Sequence, residues 1–339
     1  MMALLMAGVL STGILAGCGE TDTAAGSAAS NGSSSEQKEM VFVMAARNEF
    51  MSTLETAMIA EGEKMGYRIT TQDAANDAAK QIQYIETCAN AGNKAAIVLP
   101  VDADAAQSLV DAAGDMKIVF VNRPPTDLHV LDPENVAYVG SDEDTSGYMQ
   151  GEYLAEYFKA KGQNQIKYLM LQGTLGQVAT TKRSEGILKA LTDNGIQADE
   201  ASAPLVADWD RPTAQGKISP LLSSGIDFDC IMSNNDSMAL GAIEACDDIG
   251  ISIDFPIVGI DCTADGAQAV ADGRMAMTLF QDPVGQGKGA LTAALNMIEG
   301  KPINEGLEYS LDDSGESYSD SIVWVPFEIV TKDNVADYM

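Results

Sequence analysis

Cys230-Ile231-Met232-Ser233-Asn234-Asn235-Asp236-Ser237-Met238-Ala239-Leu240-Gly241-Ala242 carries the fold of this chain in miniature. A short apolar run, 230–233, suits a buried strand, and three polar residues stop it. A helical period then runs over 237–249. Strand, polar stop and helix make a βα unit. The same unit recurs on both sides. Upstream, strands are expected at 40–45, 67–71, 95–99, 117–121, 136–139, 167–171 and 196–203. Helices are expected at 50–65, 75–91, 103–113, 146–161, 178–194 and 211–224, with Gly66 and Gly92 as C-caps. Downstream, strands at 256–260 and 276–280 flank a short helix reaching Asp272. Such alternation predicts α/β architecture, in two doubly wound parallel-sheet units that meet near Ser141.

Polar stations stand where these strands and loops end: Arg47-Asn48-Glu49-Phe50, Asn122-Arg123, Arg183, Trp209-Asp210-Arg211, Asn234-Asn235-Asp236, Asp261 and Gln281. Open α/β sheets bind ligands outside the carboxyl ends of their strands. A sugar hydroxyl both donates and accepts, so it needs Asp and Asn acceptors beside Arg and Asn donors. Trp209 and Phe50 offer flat rings to the apolar face of a pyranose. Trp is usually a largely buried residue, but Trp209 sits between two aspartates, which favours a cleft over a core. Asp236 is expected to cap the helix at 237–249, leaving Asn235 for ligand. Asp261 could cap a helix too, and its place at a strand end favours binding. Arg183 opposes the helix dipole in a first turn, so a surface ion pair is a poor reason for it. Asp142-Glu143-Asp144 open a helix, and dipole complementation accounts for them. His129, the single histidine, belongs to a Pro- and Asp-rich loop and is expected at the surface.

Composition narrows the function. The 339 residues are 46% hydrophobic, enough for two cores. Fifty acids against twenty bases give a net charge of −30, which repels nucleic acid and favours solubility. Cys88, Cys230, Cys246 and Cys262 show no metal-ligand spacing. They read as small buried hydrophobes, with a disulfide left open for an exported chain. No metal or cofactor is expected. One loop histidine argues against a catalytic triad, no carboxylate pair is marked for glycoside hydrolysis, and neither phosphate-binding glycine motif is present. The chain is expected not to be an enzyme.

Residues 1–17 are uncharged and end in Leu15-Ala16-Gly17-Cys18. That ending resembles the bacterial lipobox, in which the Cys is lipidated and becomes the mature N-terminus. The apolar run before it is shorter than the roughly 20 residues of a spanning helix. No basic residue precedes the run, which leaves the start codon open. Residues 18–38 read as a flexible tether, with a reach of about 25 Å as a random coil. The expectation is an extracytoplasmic protein held to the bacterial membrane only by lipid on Cys18.

Several segments together resemble one family. They are Asn234 through Ala242 as quoted, Val258-Gly259-Ile260-Asp261, Ala207-Asp208-Trp209-Asp210-Arg211, Met170-Leu171-Gln172-Gly173 and Tyr138-Val139-Gly140-Ser141-Asp142. A tail of Val325-Pro326-Phe327 with Lys332-Asp333-Asn334 completes the set. In order and spacing the chain after residue 39 is similar to periplasmic sugar-binding proteins of the ribose and galactose type, the solute receptors of ABC importers. Phe50-Met51-Ser52 and the tail look most like the galactose/glucose receptors. The resemblance implies a type I periplasmic-binding-protein fold with three hinge crossovers. One lobe would hold 39–141 and a helical 283–316, the other 142–282 and 317–339. It implies ligand contacts from Asn48, Phe50, Asn122 and Arg123 on one side and Arg183, Trp209, Asn235 and Asp261 on the other. Gln281 falls at a hinge, and Glu49 and Met51 are weaker candidates. The implied ligand is a monosaccharide, foremost a hexose such as galactose or glucose, delivered by a monomer to a permease. A sugar-sensing partner of a membrane kinase or chemoreceptor is the alternative. Gln177 and Ala179 stand where galactose receptors carry His and Asp, which leaves ribose, xylose and inositol open. Residues 161–165 lack the acids of those receptors' calcium loop, so no calcium site is expected.

Overall fold

Met40, Phe42 and Met44 are buried in one apolar cluster and Val41 and Val43 in another. This period of two, with both faces covered, is the mark of a central parallel strand. The computed structural model describes residues 38–339. The leader, Cys18 and all but the last residue of the expected tether lie outside the described residues.

The first lobe starts with β1 (Lys38–Met44), α1 (Glu49–Lys64), β2 (Tyr67–Asp73), α2 (Ala78–Asn90), β3 (Ala95–Val98), α3 (Ala106–Ala113), β4 (Lys117–Val121) and β5 (Val136–Gly140). The second contains α4 (Glu143–Ala160), β6 (Gln165–Gln172), α5 (Val178–Asp193), β7 (Gln197–Glu200), β8 (Leu205–Val206), α6 (Arg211–Ser223) and β9 (Cys230–Ser233). It continues with α7 (Asp236–Ile249), β10 (Ile257–Val258), α8 (Ala264–Ala271) and β11 (Met277–Gln281). The chain then returns to the first lobe through α9 (Pro283–Glu299) and β12 (Ile322–Trp324), and ends in the second with β13 (Phe327–Thr331).

One sheet has the order β12-β5-β4-β3-β1-β2, the other β13-β11-β10-β9-β6-β7 with β8 also on β6. All pairings are parallel except β11 with β13. In the second lobe Leu169 and Leu171 face one core while Tyr168 and Met170 face the other. Each sheet is therefore sandwiched by helices, as a doubly wound fold requires.

Four expectations need correction. The helical stretch 283–316 is helical only to Glu299, where Gly300 takes a left-handed conformation (φ 69°) and closes it. Residues 317–324 belong to the first lobe, because Ile322, Val323 and Trp324 pair with Tyr138, Val139 and Gly140. The third crossover thus falls at Val325-Pro326, where proline interrupts the strand. The helix placed at 146–161 begins at Glu143, capped by Asp142. Finally, the strand at 196–203 is two pieces, β7 and β8. Cys88, Cys230, Cys246 and Cys262 are free and buried, and His129 is exposed.

Candidate ligand-binding cleft

Helices α1 and α7 begin at the carboxyl ends of β1 and β9, and their first turns meet across the gap between lobes. Ser237 Oγ donates to Glu49 Oε2 at 2.8 Å. Each helix is capped by an asparagine. Asn48 Oδ1 accepts from Met51 N at 2.9 Å, and Asn235 Oδ1 accepts from Met238 N at 3.0 Å. With the oxygens committed to the helices, the two amide NH2 groups are left to face the cleft. Asp236 is therefore not the cap. It is fully buried behind the wall, where Oδ1 accepts from Thr278 Oγ1 at 2.6 Å and Oδ2 from Thr263 N at 2.9 Å. Gly259 and Gly266 make room for it: a Cβ on either would stand 2.2 or 2.1 Å from its carboxylate oxygens. Burial pushes its pKa up to about 7 against those hydrogen bonds.

On the first-lobe side, Asn122 adopts φ 64° and its amide donates to Gln286 Oε1 at 3.1 Å. Arg123 Nη1 donates to the carbonyls of Pro100 and Val101. Burial lowers its pKa to about 10, with Asp102 opposing. Phe50 is 7% exposed.

The second-lobe wall is built on Arg183. Its Nε and Nη2 donate to the two oxygens of Glu143 at 2.7 and 2.6 Å, and Nη1 donates to the Asn234 carbonyl at 2.8 Å. The guanidinium carbon lies 5.6 Å from the centroid of the Trp209 ring, a cation–π spacing. Trp209 Nε1 donates to Gln177 Oε1 at 2.8 Å, and the indole lies against Gly173, where a Cβ would come within 2.0 Å of the ring. Asp261 is 6% exposed, with its Oδ1 3.8 Å from Arg183 Nη1, too far for a hydrogen bond. Burial raises its pKa well above the usual carboxylate value, with Arg183 opposing. Gln281 is 2% exposed, and its Nε2 has no hydrogen-bond partner.

Asn122, Asp208, Trp209, Asp261 and Cys262 all have positive φ, from 52° to 121°. Backbone of this kind costs on the order of 1–3 kcal/mol per residue and gathers at functional sites. Here it aims Asn122, Trp209 and Asp261 at one space. The nine residues given above as ligand contacts line one cavity: Asn48, Phe50, Asn122, Arg123, Arg183, Trp209, Asn235, Asp261 and Gln281; of the two weaker candidates Met51 lines it and Glu49 does not. The cavity encloses about 560 Å³, open solvent at the mouth included.

Met51, Pro124, Glu143, Gln177 and Ala179 complete the lining. Glu143 is the important omission. Dipole complementation does not account for it, because it is buried and clamps Arg183 from forty positions away. The signal was three acids in a row where one suffices to cap. Asp261 caps nothing, since Thr263 caps α8. Among the described residues no group of His, Cys, Asp or Glu is arranged to hold a metal ion, and no helix is long and apolar enough to cross a membrane. The cleft presents donors, acceptors and flat rings to one enclosed space.

The family model described as a periplasmic binding protein domain matches residues 40–302. A putative rhizopine-binding protein of Rhizobium meliloti is 35% identical over 276 residues, 80% of this chain and 82% of its own length. The D-galactose/methyl-galactoside binding periplasmic protein of Haemophilus influenzae is 29% identical over 303 residues, covering 86% and 88%. Among solved structures, an ABC transporter solute binding protein of Bacillus halodurans with bound myo-inositol is 28% identical, with a TM-score of 0.73. The match covers 89% of this chain and 97% of that one. Two α/β lobes, a cleft at the strand ends and a match across most of the chain lead to one conclusion: this chain belongs to the periplasmic binding protein family, whose members bind ligands for transport and are not enzymes.

Proposed function

We propose that this protein captures one polyhydroxylated six-membered ring, a hexose such as galactose or glucose or a cyclitol, and delivers it to the permease of an ABC importer. The observation that carries this reading is Gln281 Nε2, a buried donor without a partner at the hinge end of the cleft. Leaving such a group unpaired costs about 1–3 kcal/mol, which a ligand oxygen recovers. The committed oxygens of Asn48 and Asn235 leave further donors, Asp261 an acceptor, and Trp209 and Phe50 the apolar faces. The names of the relatives, which bind rhizopine, galactose or myo-inositol, support the same class. On this reading the nine cavity residues are the ligand contacts, and the protein works outside the cytoplasm as a monomer. Lipid on Cys18 is its anchor.

The test is a thermal-shift screen against hexoses, pentoses and cyclitols, because a ligand that binds only the native state raises its melting temperature. Micromolar affinity is expected, about −8 kcal/mol. Spread over roughly twelve heavy atoms, that is about −0.7 kcal/mol each, within the ceiling for small ligands. No shift with any ring on the panel rejects the reading, and so does product formation on long incubation with the best ligand.

A further inference from the structure

Helix α4 turns one face into the second lobe beneath the cleft. Glu143, Ser146, Gly147 and Gln150 stand on that face at helical spacing, and all are buried. Glu143 clamps Arg183, and Ser146 Oγ braces Glu143 Oε2 at 2.9 Å. Gly147 lets the α5 backbone come close: a Cβ there would stand 2.2 Å from the Arg183 carbonyl oxygen. Gln150 takes no part in the cavity lining and is 1% exposed. Its Nε2 donates to the carbonyl of Ser233 at 3.0 Å and to that of Gly259 at 2.9 Å. Carbonyls only accept, so the amide sits one way round, with a hydrogen for each.

Those two carbonyls occupy matching places. β9 and β10 are parallel neighbours, with Ile257 beside Ile231 and Val258 beside Met232. The next positions in that register, just past the end of β10, are Gly259 and Ser233. Two residues beyond each stands a cavity residue, Asn235 after Ser233 and Asp261 after Gly259. The carbonyl between, that of Asn234, is held by Arg183 Nη1 at 2.8 Å. Helices α4 and α5 therefore fix the path of the chain into both residues from behind the wall.

We propose, resting on the reading that the cleft takes a polyhydroxylated ring, that Gln150 is a positioning residue. By bridging two strand ends it sets the distance between Asn235 and Asp261, and so which ring hydroxyls the two can engage together. Without the bridge, two buried acceptors lose a donor, and the strand ends shift or admit water to replace it. Hydrogen bonds weaken steeply when misaligned, so a small shift is felt at both contacts. The same helix carries an internal control. Tyr153 Oη donates to the Ala276 carbonyl at 3.1 Å, ahead of β11 and at the end of the sheet away from the cleft.

Calorimetry and melting curves on the intact protein test this, with D-galactose, D-glucose and myo-inositol as probes. Gln150→Met removes both hydrogen bonds at nearly constant volume, and Tyr153→Phe removes one from the same helix. Both are expected to lower the melting temperature. For the probe that the wild type binds most tightly, Gln150→Met is expected to bind at least about tenfold more weakly, and Tyr153→Phe within about twofold of wild type. In an Asn235→Ala background, Gln150→Met is expected to cost less than about threefold, because one of the two contacts it spaces is gone. If Gln150→Met does not fold, Gln150→Asn, which keeps the amide on a shorter stem, is held to the same limits. Wild-type affinity in the folded variant overturns the proposal. So does an equal loss in Tyr153→Phe, or an undiminished loss in the Asn235→Ala background, since either marks general damage to the lobe. In those cases the polyol reading stands. If no probe binds the wild type, the polyol reading falls and this inference falls with it.

Discussion

Trp209 combines a positive φ with a partly buried ring seated on Gly173 and tied to Gln177. Its truncation tests a ligand surface against a structural one. Trp209→Ala is expected to cost about 2–4 kcal/mol of binding while the melting temperature of the empty protein changes little. Gly173→Ala should weaken binding in the same direction, because the added methyl must displace the indole. A large loss of stability with affinity intact would show the ring to be core. Asp236 supplies a second residue-scale test. Its pKa rises from near 4 in the unfolded chain to about 7 in the fold. The native state therefore holds a proton that the unfolded state has released, and stability falls as pH climbs from about 4 to about 7 and levels off above. Asp236→Asn should remove that part of the slope, read as the mutant–wild-type difference in melting temperature across the range. An unchanged difference rejects the assignment. Residues such as Trp209, Asn122 and Asp261 were legible in the sequence because each interrupts an apolar run at a strand end. Glu143 was not, because its meaning lies in Arg183, which shares no local pattern with it.

Helices α1 and α7 show why caps and ligand contacts are hard to separate by reading alone. One asparagine does both, with its oxygen on the helix and its amide toward the cleft. Substitution at position 235 separates the roles. Asn235→Ala loses both, so stability should drop by about 1 kcal/mol and affinity should fall as well. Asn235→Ser keeps a capping oxygen without adding a buried charge and loses the amide donor, so melting should hold while calorimetry reports weaker binding. Equal affinity for the Ser variant and the wild type would remove Asn235 from the site. Among the strands, the longer buried ones announced themselves through apolar runs bounded by glycine, proline or polar stops. β12 is only Ile322-Val323-Trp324, and its partner β5 lies far back in the chain. No local period distinguishes three residues that join one sheet from a segment that continues to the next.

At the scale of the whole molecule, the cavity is split between lobes, so only a closed arrangement satisfies both walls at once. A ligand that needs both walls shifts the population toward closure. Moving from 1:99 to 99:1 takes about 5.5 kcal/mol of differential affinity. Small-angle scattering should show a smaller radius of gyration with saturating ligand, and an unchanged radius from an open start would sink the clamshell. Among the described residues, the Glu49–Ser237 hydrogen bond ties the lobes together outside the cavity lining. Ser237→Ala should therefore raise the ligand dissociation rate while every cavity residue stays in place. The chain path through three crossovers has a further consequence, for the timing of folding. The last two strands in chain order, β12 and β13, border opposite sheets, β12 on β5 and β13 on β11. A nascent chain that has emerged only as far as α9 therefore has a bare edge on each half at once. A chain truncated before Ile322 is accordingly expected to partition into the insoluble fraction, with unpaired strands free to join those of its neighbours.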